Sequence, residues 1–213
     1  MPKDFIDFDF DRLPSGFRNI RSLSEDWGIP LIPVSSNVGQ FYERWRFEDT
    51  HTIRNASVAH LLAGGIDRFF YGSAYPWCDQ KASPTSDIAV ADSMLLPLLS
   101  TRGITLQSGD PELSRAEKTL GLVDFEAANQ YLQVCAVGWE GNCSACWKCR
   151  RTLLTLDVFD ALDRFSSVFD VERYLRDRSS WAATELMSAD PFMVDIVRVA
   201  KARGVCLKRF LEC

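Results

Sequence analysis

Four closely spaced cysteines are the residues in this sequence with the clearest chemistry. Cys135 is followed after seven residues by Cys143, and Cys146 and Cys149 then follow with two residues between each pair. Zinc takes thiolate ligands at tetrahedral corners about 2.3 Å from the metal, and a Cys-x-x-Cys turn presents two of them to one ion. The pattern therefore predicts zinc, in a structural site, because four thiolates leave no position for water. An iron–sulfur cluster, redox cysteines and a merely buried group are the alternatives.

The remaining cysteines and the neighbouring charges agree with a reduced, metal-bound state. Of the seven cysteines, Cys78, Cys206 and Cys213 fall outside the motif. The odd number and the crowding of the other four favour metal binding over disulfides, and the cytoplasm is the expected compartment. Lys148 and the two arginines that follow Cys149 would offset part of the negative charge of the thiolates.

Polar residues near predicted strand ends and near a predicted helix start form the second group of candidates. Asn37 closes the polar run after one predicted strand, and Ser73 and Tyr75 follow another. Ligands of parallel α/β sheets bind beyond the carboxyl ends of the strands, so these residues are predicted to contact a nucleotide or a small-molecule substrate. Loop polarity alone would also explain them. Arg115 and Lys118 share a helix face and can hold a phosphate or a carboxylate, or else be solvated surface charges.

The two histidines are weaker candidates. His51 is one of two histidines in the sequence and a candidate general base. The sequence offers it no evident carboxylate partner, which favours a surface or helix-capping role. His60 lies in a stretch rich in alanine and leucine and is expected to be packed.

The elements that would position these residues alternate between strands and helices. Period-two or short apolar runs predict strands at about 4–10, 29–34, 67–71, 104–107 and 132–137. Apolar spacings of three and four residues predict helices at about 17–27, 41–63, 111–121, 150–162, 171–176 and 182–203. Residues 77–92 have no clear periodicity and are interpreted as a long functional loop or lid. The aromatic residues of the C-terminal helices are expected in the core.

This order predicts an α/β protein with a Rossmann-like parallel sheet and a zinc-stabilised helical C-terminal region. We expect a Rossmann-like domain over residues 1–132 and a zinc-binding helical region over residues 133–213. A formal net charge of −5 argues against general nucleic-acid binding. No apolar run has the roughly 18 to 20 residues that a membrane span needs, and the N-terminus does not have the pattern of a targeting peptide.

The cysteine segment and its surroundings resemble a known family. NCSACWKCRRTLLTLD at 142–157 resembles the zinc segment of PP-loop ATP pyrophosphatases related to 7-cyano-7-deazaguanine synthase. The segments GSAYPW, PLLST and SRAEK, which begin at residues 72, 97 and 114, are similar to this family too, as is the stretch from Trp45 through His51 to DRFFYGS. The resemblance extends from about residue 4 to about residue 174.

The resemblance implies a Rossmann-like domain that binds ATP with magnesium, adenylates a carboxylate or similar oxygen, and lets a nitrogen nucleophile displace AMP. The phosphate loop of the family, Ser-Gly-Gly-x-Asp-Ser, is absent from this sequence. We therefore expect the C-terminal part of a larger or split ligase, whose phosphate loop is in a missing or separate N-terminal piece. The alternatives are a non-catalytic zinc-stabilised subunit that binds a partner protein, and an autonomous enzyme that holds phosphates differently. An open sheet edge favours such a partner or a homodimer.

Overall fold

The computed structural model describes residues 15–84, 87–137 and 141–211 of a mixed α/β protein. The chain divides into two compact units. We call Val34–Arg115 the sheet unit, and Met1–Pro33 together with Ala116–Cys213 the cysteine unit. The boundary expected after residue 132 does not coincide with this division, because Ala116 and Ala128 are buried in the same core as the helices that follow the cysteines.

The sheet unit is organised around two parallel strands. Strands β1 (Arg68–Gly72) and β2 (Thr105–Gly109) pair in register, and both lie where the sequence predicts strands. Helices α2 (Val38–Phe41) and α3 (Phe47–Leu61) precede β1, and α4 (Asp92–Leu98) lies between the strands. Parallel strands need a crossover connection, and the segment that contains α4 provides it.

One face of this small sheet is covered and the other is open within the sheet unit. Ala56 and Ala59 of α3 and Leu96 of α4 are buried against Leu106 of β2. On the opposite face, the side chain of Phe70 is 63% exposed. The described residues thus show a two-stranded parallel sheet, smaller than the sheet that the sequence predicts.

Two predictions for the sheet unit and its boundary were wrong in detail. Residues 29–34 are irregular, since Pro30 and Pro33 have no N–H to donate to a sheet. The helix predicted over residues 41–63 is interrupted between α2 and α3, where the Arg54 guanidinium donates to the carbonyls of Tyr42 and Trp45. The predicted loop at 77–92 contains two short 3₁₀ turns, at Trp77–Asp79 and Ile88–Ala91.

Helices make up the regular structure of the described part of the cysteine unit. They are α1 (Ser15–Trp27), α5 (Arg115–Gly121, whose first residue belongs to the sheet unit), α6 (Glu126–Tyr131), α7 (Trp147–Val158), α8 (Val171–Arg178), α9 (Ala182–Leu186), α10 (Pro191–Ala202) and α11 (Lys208–Leu211). Helix α7 is central, because its Leu153, Leu154, Leu156 and Val158 are all fully buried.

The sequence predicts most of these helices but not all their limits. The predictions at 17–27, 150–162 and 171–176 are confirmed as α1, α7 and α8, whereas α5 begins four residues later than predicted, at Arg115. The helix predicted over 182–203 is two helices, because Asp190 caps α10 by accepting from the N–H groups of Phe192 and Met193. Helix α6 was not predicted. The strand predicted at 4–10 lies outside the described residues.

The aromatic residues of the C-terminal helices are in the core, as predicted. Phe165, Phe169 and Tyr174 are buried, and Phe159 packs against the same core while partly exposed. Helix α1 joins this unit through an edge-to-face contact between Trp27 and Phe125. Among the described residues, none of the helices has the length and hydropathy of a bilayer-spanning segment.

Candidate functional site

The four cysteines of the motif lie together in the structure. The sulfur atoms of Cys135, Cys143, Cys146 and Cys149 all lie within 4.8 Å of one another. The Cys135–Cys146 sulfur pair is 3.9 Å apart and the Cys143–Cys149 pair 4.0 Å. Four sulfurs at tetrahedral corners about 2.3 Å from a zinc ion would be about 3.8 Å apart. The donor set and its spacing therefore fit a four-coordinate metal ion such as zinc.

A tight turn and a helix start give the last three cysteines their positions. Ser144 has a positive φ of 57°, and its buried hydroxyl accepts from the N–H of Asp170. The N–H of Cys146 donates to the Cys143 sulfur at 3.2 Å. Helix α7 begins immediately afterwards, so Cys149 lies in its first turn and is fully buried.

Residues 132–137 do not form the strand that was predicted there, and the side chain of Asn142 makes hydrogen bonds that a neighbouring strand would otherwise provide. Its side-chain oxygen accepts from the N–H groups of Val134 (2.8 Å) and Cys135 (3.1 Å). Its side-chain nitrogen donates to the carbonyls of Leu132 (2.7 Å) and Val168 (3.1 Å). The segment leading to Cys135 is irregular because a side chain, not a neighbouring strand, satisfies these backbone groups.

The thiols of the cluster cannot all ionise easily without a cation. Burial raises the pKa of Cys149, and the hydrogen bond with Cys146 and the charges of Cys146 and Cys135 raise it further. Burial also acts to raise the pKa of Cys146, but hydrogen bonds, first among them that from the Ala136 N–H, outweigh it and hold that pKa below its usual value. A divalent cation would remove the repulsion that opposes the last ionisation.

A second group of polar side chains lies in the sheet unit, at and beyond the carboxyl end of β1. The ring nitrogens of His51 contact the Tyr71 hydroxyl at 2.9 Å and the Asp87 carboxylate at 3.0 Å. Tyr75 also hydrogen-bonds to Asp87. The sequence did not reveal a carboxylate partner for His51, and the expectation of a surface or capping role was wrong, because the residue is buried. The strand-end cluster consists of His51, Thr52, Asn55, Tyr71, Tyr75, Asp87 and Asp92.

The pKa values of the two carboxylates in the strand-end cluster are shifted in opposite directions. Burial acts to raise the pKa of Asp87, but hydrogen bonds from His51, the Ala89 N–H and Tyr75 lower it overall. Burial raises the pKa of Asp92 to about 6, with the Asp87 charge adding to the shift and the Thr52 hydrogen bond opposing it. One carboxylate oxygen of Asp92 accepts from Thr52 at 2.7 Å, and the other has no hydrogen-bond partner within the described chain.

We expect stability to depend on pH through Asp92. The folded-state pKa of about 6 lies above the unfolded value of about 4, so the folded state binds more protons between these values. Stability contributed by this group is complete below pH 4 and is lost as pH rises through 6. Relative to wild type, Asp92→Asn should gain roughly 2 to 3 kcal/mol in free energy of unfolding between pH 4 and pH 8. Urea unfolding at a series of pH values measures this difference.

The Asp92 prediction concerns the slope with pH, so it is independent of any fixed packing cost of the amide. Glu43→Gln is the matched control, since Glu43 is exposed in the same unit. The difference in free energy of unfolding between Glu43→Gln and wild type should not change between pH 4 and pH 8. A flat difference for Asp92→Asn as well would show that the buried carboxyl titrates normally.

The structure places the other predicted site residues as follows. Ser73 is buried beyond β1, where its N–H donates to the Gly109 carbonyl at 3.0 Å. Asn37 is exposed before α2, and its amide contacts Gln40. Arg115 and Lys118 lie one turn apart on α5, as predicted. The N–H of Ala116 in that helix donates to the buried Asp195 carboxylate at 2.8 Å. This backbone N–H is therefore already bonded within the chain.

Comparison with protein-family models, curated proteins and solved structures found no match for this chain. The site geometry and the sequence motifs therefore carry the functional conclusions.

Proposed function

We propose that the cysteine unit holds one zinc ion that stabilises its fold. The observation that carries this proposal is the convergence of the four motif cysteines, with sulfur separations close to those of a tetrahedral zinc site. The site is structural, since four protein thiolates complete the coordination of zinc. The ion would link the segment that follows α6 to the start of α7, because Cys135 lies after the end of α6 and Cys149 belongs to α7.

Elemental analysis of the purified chain tests the zinc proposal. We expect about one zinc per chain and no iron. Cys78→Ser and Cys206→Ser are the matched controls, because both cysteines are exposed and lie outside the cluster, and both variants should retain the metal. Iron with inorganic sulfide would establish the iron–sulfur alternative, and a metal-free folded chain would overturn metal binding altogether.

We further propose that the chain is the C-terminal part of an ATP-dependent ligase of the PP-loop class related to 7-cyano-7-deazaguanine synthase. The resemblance of the cysteine segment is the first support. The parallel strands with a crossover between them are the second, since doubly wound sheets of this kind bind ligands beyond the carboxyl ends of their strands. In this function, Ser73 and Tyr75 contact ATP or the acceptor, and Asn37, Arg115 and Lys118 contact phosphate or carboxylate groups.

The reaction would use ATP and magnesium to adenylate a carboxylate or similar oxygen, and a nitrogen nucleophile would then displace AMP. The sequence has no Ser-Gly-Gly-x-Asp-Ser loop, so the grip on the pyrophosphate comes from another segment or polypeptide in this proposal. The Rossmann-like character of the sheet unit is part of the same proposal.

Calorimetry with Mg-ATP tests the nucleotide proposal. Binding that is weakened by Tyr75→Phe and unaffected by Tyr42→Phe would support a site at the strand ends. Absence of binding, both to the chain with its zinc present and to a mixture with a polypeptide that carries the phosphate loop, would overturn the ligase proposal.

The alternative is a non-catalytic subunit. The exposed Phe70 on the open face of the sheet favours it, since a large apolar side chain in that position is a natural contact for a partner or a second copy. Light scattering after size-exclusion chromatography, with Phe70→Ser as the comparison, measures whether this face joins two copies.

A further inference from the structure

A partly open cavity in the cysteine unit has the composition of a ligand site that neither proposal above uses. It has a volume of about 120 Å³ and lies between α7, α9 and the start of α10. Pockets for drug-sized ligands have volumes of about 300 to 1,000 Å³. The cavity is therefore too small for a nucleotide and fits a compact metabolite. Its lining includes Trp147, Arg150, Arg151, Trp181, Glu185 and Asp190.

Two arginines border the cavity with their flat faces on aromatic rings. The Arg150 guanidinium lies 5.2 Å from the centre of the Trp181 ring. The guanidinium of Arg151, a residue only 8% exposed, lies 4.2 Å from the Phe192 ring centre and 5.1 Å from that of Trp147. Stacking on Trp181 restricts the orientation of the Arg150 guanidinium, whose N–H edge can then meet a planar oxyanion. A carboxylate is the small group that matches such edges best.

The protein also places two carboxylates, those of Glu185 and Asp190, on the same cavity. A ligand that fits this lining therefore carries a positive charge as well as a negative one. Glu185 is partly buried and forms no ion pair within the described chain. Asp190 is already engaged, because its carboxylate caps α10. Glu185 is thus the acidic group that remains to accept hydrogen bonds from a ligand. Neutralisation of the nearby thiolates would explain the arginines, but it would explain neither this carboxylate nor the cavity.

We infer that this cavity binds a small zwitterion, a free α-amino acid. Its carboxylate receives hydrogen bonds from Arg150, and its ammonium group donates to Glu185. Both charges of such a ligand fit in a cavity of this size, whereas a simple anion would meet the unfavourable charge of Glu185. The inference is independent of ATP binding.

Tryptophan fluorescence provides the test, because two indoles line the cavity. The zinc-loaded chain is titrated with each of the twenty amino acids, and we expect a saturable change with at least one of them. The methyl ester of that amino acid lacks the carboxylate, and the N-acetyl form lacks the ammonium group. Each should bind at least tenfold more weakly, because each loses one of the two charge contacts.

Arg150→Gln and Glu185→Gln should each weaken binding of that amino acid at least tenfold. Arg176→Gln is the matched control, because Arg176 is an exposed arginine of the same unit outside the cavity. Zinc content and circular dichroism establish that each variant is folded, and Glu185→Gln alone suffices if Arg150→Gln is not. The inference is overturned if no amino acid binds at millimolar concentration, if acetate or phosphate binds as well as the amino acid, or if both folded variants bind like wild type.

Discussion

The Cys149→Ala variant should lose its zinc ion and with it the fold of the cysteine unit. Cys149 is fully buried in the first turn of α7, and three thiolates cannot complete a structural zinc site. Because structural zinc contributes about 10 kcal/mol or more in small zinc domains, we expect a loss of at least about 5 kcal/mol in free energy of unfolding. That is comparable to the whole stability of many domains. Urea unfolding and zinc content measure the two effects on one sample.

The matched comparison separates metal loss from the packing change in the alanine variant. Wild type stripped of zinc by a chelator should be destabilised nearly as much as Cys149→Ala, and adding zinc should restore wild type only. Cys206→Ala, which changes an exposed cysteine of the same unit, should keep both zinc and stability. A stripped wild type as stable as the zinc-loaded protein would refute a structural role for the metal.

Asn142→Ala should be strongly destabilising although Asn142 is not a metal ligand. The variant loses the four hydrogen bonds through which Asn142 holds the segment before Cys135 and the carbonyl of Val168. Each bond contributes about 1 kcal/mol, and buried backbone groups left without partners cost more. We expect a loss of about 3 to 5 kcal/mol in free energy of unfolding. We also expect roughly tenfold or greater weakening of zinc affinity, as for other residues that orient metal ligands.

The Asn142→Asp variant separates the contribution of the side-chain oxygen to stability from that of the side-chain nitrogen. Aspartate keeps an acceptor for the N–H groups of Val134 and Cys135 but has no N–H to donate to the two carbonyls, so its stability should fall between wild type and alanine. Zinc affinity is measured by competition with a chelating dye, and Asn37→Ala serves as an exposed asparagine control. Wild-type zinc affinity in Asn142→Ala would show that the loop is held by the metal alone.

The cysteine cluster was predictable because its ligands are close in sequence. Cys143, Cys146 and Cys149 are spaced so that a turn and the start of a helix bring them together, and local geometry is what a sequence pattern encodes best. The role of Asn142 was not predictable, since its bonds go to backbone groups that carry no sequence signal. The irregular structure at 29–34 had a signal, because Pro30 and Pro33 argue against a strand.

The contacts of the strand-end cluster were less predictable from the sequence than those of the cysteine cluster. Ser73 and Tyr75 were predicted as site residues because polar residues after a strand are a positional signal, and of the two Tyr75 belongs to the cluster. The partnership of His51 with Asp87 joins residues 36 positions apart, and only the packing of α3 near β1 brings them together. A parallel sheet was predicted from the order of elements, but which strands pair and how far the sheet extends depend on contacts that no local pattern determines.

Helix α1 belongs to a unit whose other part is synthesised much later. Asp26, near the end of α1, hydrogen-bonds to Tyr131, which lies 105 positions further along the chain. At a translation rate of about 5 to 20 residues per second, α1 leaves the ribosome roughly 5 to 20 seconds before α6 does. A helix of 13 residues is marginal in water without partners. During synthesis, the sheet unit can therefore fold first, while the α1 segment remains a substrate for chaperones until the cysteine unit closes.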